Sequence, residues 1–137
     1  MAVIGGDILE ITFSHPSLGS GTFFPKAAED STIDLGGFRS SDEANNIDGG
    51  GNMIDTMSRG RWSVETVVSN DNRNRIDLEK LVSLAESTVL ADWTISHVSG
   101  AVYGGKGKPV GDIQGNFNAA TVALKLAGGG KLKKISG

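Results

Sequence analysis

The sequence predicts a mainly β fold: an antiparallel β-sandwich or barrel with one flanking α-helix and a long irregular loop, as a single domain over residues 1–137. Three observations predict it. Several short segments alternate apolar and polar residues with period two, the pattern of half-buried strands. Only one segment carries an apolar stripe at helical spacing. The 20 glycines gather in turn-like runs and in one long stretch that has neither period.

The elements follow in chain order. Residues 7–13 alternate, with Leu9, Ile11 and Phe13 on one face and Ile8, Glu10 and Thr12 on the other. Residues 36–60 (GGFRSSDEANNIDGGGNMIDTMSRG) show no period and run well past the about 12–15 residues usual for a structureless loop in a compact domain. Their apolar residues Phe38, Ile47, Met53, Ile54 and Met57 are too many for a solvating linker, so this loop is expected to extend onto a neighbouring copy of the chain. Residues 61–69 alternate cleanly, Trp62, Val64, Thr66 and Val68 against Arg61, Ser63, Glu65 and Val67. Residues 72–89 form the helix. Leu78, Leu81, Val82, Ala85 and Val89 make its stripe, Asp71, Asn72 or Asn74 caps its start, and Asp77 and Glu79 suit the positive end of its dipole.

Strand residues 93–99 set Trp93, Ile95 and His97 on one face. In residues 112–118, Ile113, Gly115 and Phe117 oppose Asp112, Gln114, Asn116 and Asn118. In residues 121–127, Val122, Leu124 and Leu126 form the apolar face. The apolar parity changes between Phe117 and Val122, so a turn or bulge is required at 118–120. The glycine-rich runs 104–109 and 128–130 read as turns.

Composition removes several function classes. The chain has no cysteine, which excludes a disulfide scaffold, thiol chemistry and a Cys-ligated metal. A net charge of −3 argues against a protein that grips nucleic acid by its phosphates. No apolar run approaches the about 20 residues of a membrane span, so no stable membrane insertion is expected. The first residues, MAVIGGD, lack a basic segment leading into an apolar one, so no signal peptide is expected and synthesis is expected to leave the chain in the cytoplasm.

Charge is segregated. Residues 27–58 hold Glu29, Asp30, Asp34, Asp42, Glu43, Asp48 and Asp55 against Arg39 alone. Residues 105–137 hold Lys106, Lys108, Lys125, Lys131, Lys133 and Lys134 against Asp112 alone. Two solvated faces would explain this. A self-complementary surface also would, with one copy's basic tail on another copy's acidic segment. The residues expected between subunits are Asp42, Glu43, Asp48, Met53, Asp55, Met57, Lys131, Lys133 and Lys134.

Chemistry-bearing patterns are weak. His15 precedes Pro16, His97 lies within a strand, and a lone strand histidine is more often structural than catalytic. No serine sits in a G-x-S-x-G elbow. Asp48, Asn52 and Asp55 lack the dense spacing of a cation loop, and Gly105, Gly107 and Gly111 match neither the dinucleotide nor the P-loop pattern. No enzymatic activity, cofactor or metal is expected. What the strands do show is an absence of proline guards, and exposed edges invite pairing with another chain. A head-to-tail contact about a rotation axis closes such edges into a ring.

Residues 105–116 (GKGKPVGDIQGN) followed by 121–132 (TVALKLAGGGKL) resemble the end of tail tube proteins of tailed bacteriophages, the short single-domain kind of contractile tails and related injection machines. The order of elements agrees along nearly the whole chain. The resemblance implies a β-sandwich or barrel with a flanking helix, and hexameric rings stacked into a hollow tube that conducts the genome. It implies self-association, with baseplate or initiator, tape-measure and terminator proteins and a sheath as further partners, in a virion tail assembled in the host cytoplasm. DNA would pass through without specific binding. A wall facing DNA should lack a ladder of cations, which makes Asp112, Gln114, Asn116 and Asn118, and the set Ser63, Glu65 and Val67, candidates for the lumen. The alternatives are the inner tube of a phage-derived injection machine and a small β-sandwich binding module for a sugar or a partner protein. The module would need exposed aromatics on a concave face, whereas most aromatics here fall at core parity.

Overall fold

A computed structural model describes residues 2–136. The order is β1 (Ile8–His15), β2 (Gly19–Phe23), β3 (Thr32–Asp34), β4 (Gly37–Ser40), β5 (Met57–Gly60), β6 (Trp62–Ser69), α1 (Asp77–Glu86), β7 (Ala91–His97), β8 (Val102–Pro109), β9 (Gly115–Asn116), β10 (Thr121–Gly128) and β11 (Lys133–Ser136). The main sheet runs β2-β1-β7-β8-β10-β6-β3, all antiparallel, with β11 added to β8 and β9 to β10. It does not close. It folds over at β8, whose first half pairs with β11 and whose end pairs with β10 at Pro109 and Lys108. The two halves face each other as a sandwich, the fold class the sequence predicts.

One apolar cluster fills the space between them. Ile11, Phe13, Phe23, Trp93 and Ile95 come from one half and Trp62, Val64, Val68, Val122, Leu124 and Leu126 from the other, with Leu81 and Leu84 of α1. The alternation read for β6, β7 and β10 is the one observed, because a two-layer fold buries one face of each strand. The rings of Phe13, Phe23 and Trp93 pack with centroids 5.5 to 6.2 Å apart.

The glycine run 104–109 is not a turn but most of strand β8. Its glycines are there for close approach. A Cβ at Gly107 would stand 2.3 Å from the Ala127 carbonyl oxygen and 2.7 Å from the Trp62 ring. The indole N–H of Trp62 donates to the Lys106 carbonyl at 3.1 Å and that of Trp93 to the Gly107 carbonyl at 2.9 Å. Both tryptophans therefore satisfy their polar atom on the strand where the halves join.

Other boundaries differ from the sequence reading for physical reasons. A register shift in the β1–β7 pairing lies between Ile8 and Glu10, so Ile8 is buried and Leu9 is exposed. The helix is shorter than 72–89. Asp71 accepts the N–H groups of Arg73 and Asn74, each at 3.0 Å, closing a turn ahead of the helix. None of Asp71, Asn72 and Asn74 takes the N-cap position. That position falls to Ile76, in the left-handed region at φ 48°, without a side-chain cap, and Asn70 Oδ1 instead accepts the Leu78 N–H at 3.2 Å. The carboxylate of Asp77, fully buried, accepts the Asp71 N–H at 2.9 Å. The buried stripe is Asp77, Leu81 and Leu84, while Val82 and Val89 face outward. At the other end Lys108 Nζ donates to the Ser87 carbonyl at 3.0 Å, a cation at the negative end of the dipole.

The segment 112–118 pairs only at Gly115 and Asn116. Phe117, which alternation places inside, is 70% exposed because a turn through 117–120 absorbs the parity change.

Candidate assembly surfaces

Residues 36–60 are not irregular throughout, since two strands within them pair with each other. Strands β4 and β5 pair from Gly37 opposite Gly60 to Ser40 opposite Met57. The ladder continues through the Ser41 N–H to the Thr56 carbonyl at 2.7 Å and closes at a bridge between Ile47 and Met53. This hairpin is a separate two-stranded sheet, an arm attached to the sandwich by its foot. From 38 to 61 every residue is exposed except the half-buried Asn46. Phe38, Ile47, Met53, Ile54 and Met57 are 47% to 68% exposed. A hairpin that buries neither face needs no alternation, which is why the sequence shows none.

Carboxylates hold the arm's shape. At the foot Asp34 accepts the Gly36 N–H at 2.9 Å and a forked contact from the Arg39 guanidinium, one arm of it at 3.0 Å. The Arg39 hydrogen bond, seconded by Gly36, holds the Asp34 carboxyl below its ordinary range. At the tip Asp48 accepts the Asn52 and Gly50 N–H groups, each at 2.9 Å, and the Asn52 side-chain amide. The Asn52 bonds, backbone first, lower its pKa as well. Asp48 thus acts as a turn residue. A carboxylate whose folded pKa is depressed stabilises the fold above its ordinary pKa and loses that effect as pH falls through the folded value. The protection of the arm's amides, taken relative to the intrinsic exchange rate at each pH, is therefore expected to fall as the pH drops below the ordinary aspartate range. Asp34→Asn should show fast exchange at the arm's foot already at neutral pH, read by mass spectrometry. An unchanged foot in that variant counts against the clasp.

The remaining acids expected between subunits, Asp42, Glu43 and Asp55, lie exposed on the arm and make no salt bridge among the described residues. The basic segment lies at the arm's foot in the same chain. The Leu132 N–H donates to the Leu35 carbonyl at 2.9 Å, Gly36 bridges to Lys131, and a Cβ at Gly37 would lie 3.3 Å from the Lys131 stem. Lys133 and Lys134 stand exposed on β11. The acids thus lie along the arm and Lys131 at its foot, with Lys133 and Lys134 following on β11.

The two lumen candidate sets meet on one surface, the outer face of β3-β6-β10. Val67, Gln114, Asn116, Phe117, Asn118 and Ala123 border a depression of about 640 Å3. A neighbouring one of about 580 Å3 takes in Glu65, Asp112 and Lys125 and shares Val67 and Ala123. Ser63 lies on the same face by alternation, half-buried. The sequence did not reveal that Lys125 stands opposite Glu65, with Nζ 3.1 Å from the carboxylate, which cancels that charge. Only the cross-strand register carries this information.

The histidines are engaged locally. His15 is buried, its Nδ1 accepts the Ser17 and Leu18 N–H groups at 3.0 Å, and its Nε2 lies 3.1 Å from the Val89 carbonyl. These partners assign the proton to Nε2 and tie β1 to the exit of α1. His97 Nε2 meets the Gly6 carbonyl at 3.0 Å. Gly105 and Gly107 lie under Trp62 rather than around an anion-binding hollow. In comparisons with known proteins, no family model matches the chain and no curated protein matches it.

Proposed function

We propose that this chain is the structural subunit of a phage tail tube, forming hexameric rings that stack into a hollow cylinder through which the genome passes. The observation that carries the reading is the arm: an ordered, self-paired hairpin that exposes five large apolar side chains and contributes nothing to its own core. Such a surface marks a protein-protein contact. The separation of acids on the arm from Lys131, Lys133 and Lys134 at its foot adds direction, because each copy offers one sign forward and the other at its base. The contact is heterologous, and repeated about an axis it closes a ring or propagates a stack. The inner tube of a phage-derived injection machine uses the same geometry with a different cargo.

Negative-stain microscopy and sizing of the purified protein test this. Rings or tubes are expected, and a chain that stays monomeric or dimeric at every concentration and salt condition overturns the proposal. Within it, Lys131→Glu, Lys133→Glu and Lys134→Glu combined should stop stacking while single rings persist. Salt should shorten the wild-type tubes only in part, since charge contacts are screened over about 8–10 Å whereas apolar contacts are not. Tubes of normal length from the triple variant count against the charge contact.

A further inference from the structure

The half-sandwich β2-β1-β7-β8 turns one face to the core and leaves the other uncovered. Its cross-strand register sorts the outward side chains into rows. Thr22, Thr12 and Thr94 lie abreast on three adjacent strands. Ser20 and Ser14 lie abreast in the next row, continued by Asp92 and Lys106, and Ser96 follows Glu10 in the row beyond. All of these residues are half-buried or exposed. Strands stand about 4.8 Å apart and same-face residues about 6.7 Å apart along each strand, so the hydroxyls form a near-continuous sheet. Two cations stand in these rows: Lys106, which the register sets opposite Asp92, and Lys133, opposite Gly104 at the β11 end of the threonine row. The apolar side chains on this face are Leu9 at the start of β1, Val102 abreast of Ser96 on β8, and Ile135 over Gly104 at the β11 edge.

We infer that this hydroxyl face lines the bore of the tube, an inference that rests on the tube reading above. Duplex DNA carries one charge per about 1.7 Å, and each phosphate met by a cation adds salt-dependent adhesion. A wall of serine and threonine holds water and presents no ladder of charge, so a polyanion slides along it. The outer face of β3-β6-β10 is rougher, with two depressions and the exposed Phe117 ring standing beside them. The two faces lie on opposite sides of one core, so a single bore takes only one of them.

The chain has no cysteine, which permits a clean labelling test. Thr94→Cys, the more exposed Ser14→Cys and, on the competing face, Asn116→Cys are each assembled into tubes. They are treated with a small maleimide or with a maleimide on a polyethylene glycol too wide for the bore. In tubes, positions 94 and 14 should react with the small reagent and lose reaction with the bulky one, while dissociated subunits react with both. Bulky labelling of both positions in intact tubes overturns the inference, as does selective protection of position 116 from the bulky reagent. Tubes that form but label in that reversed pattern leave the tube reading standing. Wild-type protein that forms no rings or tubes overturns both.

Discussion

Deleting residues 45–52 should leave a folded monomer and abolish polymer. The sandwich owes nothing to this tip. No residue from 38 to 61 belongs to the apolar cluster, and the arm's ladder is separate from the main sheet. Strands β4 and β5 remain in the deletion, so the foot with Asp34 and Arg39 is untouched. Thermal stability should therefore change by no more than about 0.5 kcal/mol, the range of surface changes that break no core contact. Assembly should respond differently. The deletion takes away Ile47 and Asp48 and destroys the bridge that presents Met53. Each large apolar side chain fully buried on contact contributes about 1.5–3 kcal/mol, and a ring of copies multiplies the loss. Sizing and microscopy of the variant beside wild type give the answer. Normal tubes from the deletion show that the arm is not a subunit contact.

The second large effect lies in the core. Gly128→Ala should cost about 3 kcal/mol or more, the upper end for overpacking a filled interior. A Cβ there would stand 1.9 Å from the Lys106 carbonyl oxygen and 2.6 Å from Trp62 Nε1, the indole nitrogen that donates to that carbonyl. Neither neighbour gives way cheaply, since one is backbone in β8 and the other is a fully buried ring. Gly107→Ala meets the Ala127 carbonyl and the same ring and should behave alike. Gly129→Ala is the control, because a Cβ at that position meets nothing within 4 Å. A loss of about 3 kcal/mol should lower the melting temperature by roughly 10 °C in a domain of this size. Equal melting of Gly128→Ala and Gly129→Ala variants removes the close-approach explanation for the glycine-rich strand.

The sequence alone determined which strands bury which side chains wherever burial is one-sided. Trp62, Val64 and Val68, Trp93 and Ile95, and Val122, Leu124 and Leu126 all lie inside as alternation requires. It determined that one helix occurs among the described residues and that residues 118–120 must turn. Tertiary structure alone decided the rest. Glycine in a sequence reads as a turn because its backbone is permissive, yet in β8 it is a spacer that only the crossing of β10 and the Trp62 ring demands. The arm hairpin left no period, since alternation records a buried face and the arm buries none within its own chain. The helix start moved to Asp77 because Asp71 gave its carboxylate to a nearer turn, a choice between two local partners that spacing does not rank. The hydroxyl rows and the Glu65–Lys125 pair were invisible for the same reason: residues far apart in sequence become neighbours only through strand register, and register is set by the whole sheet closing over its core.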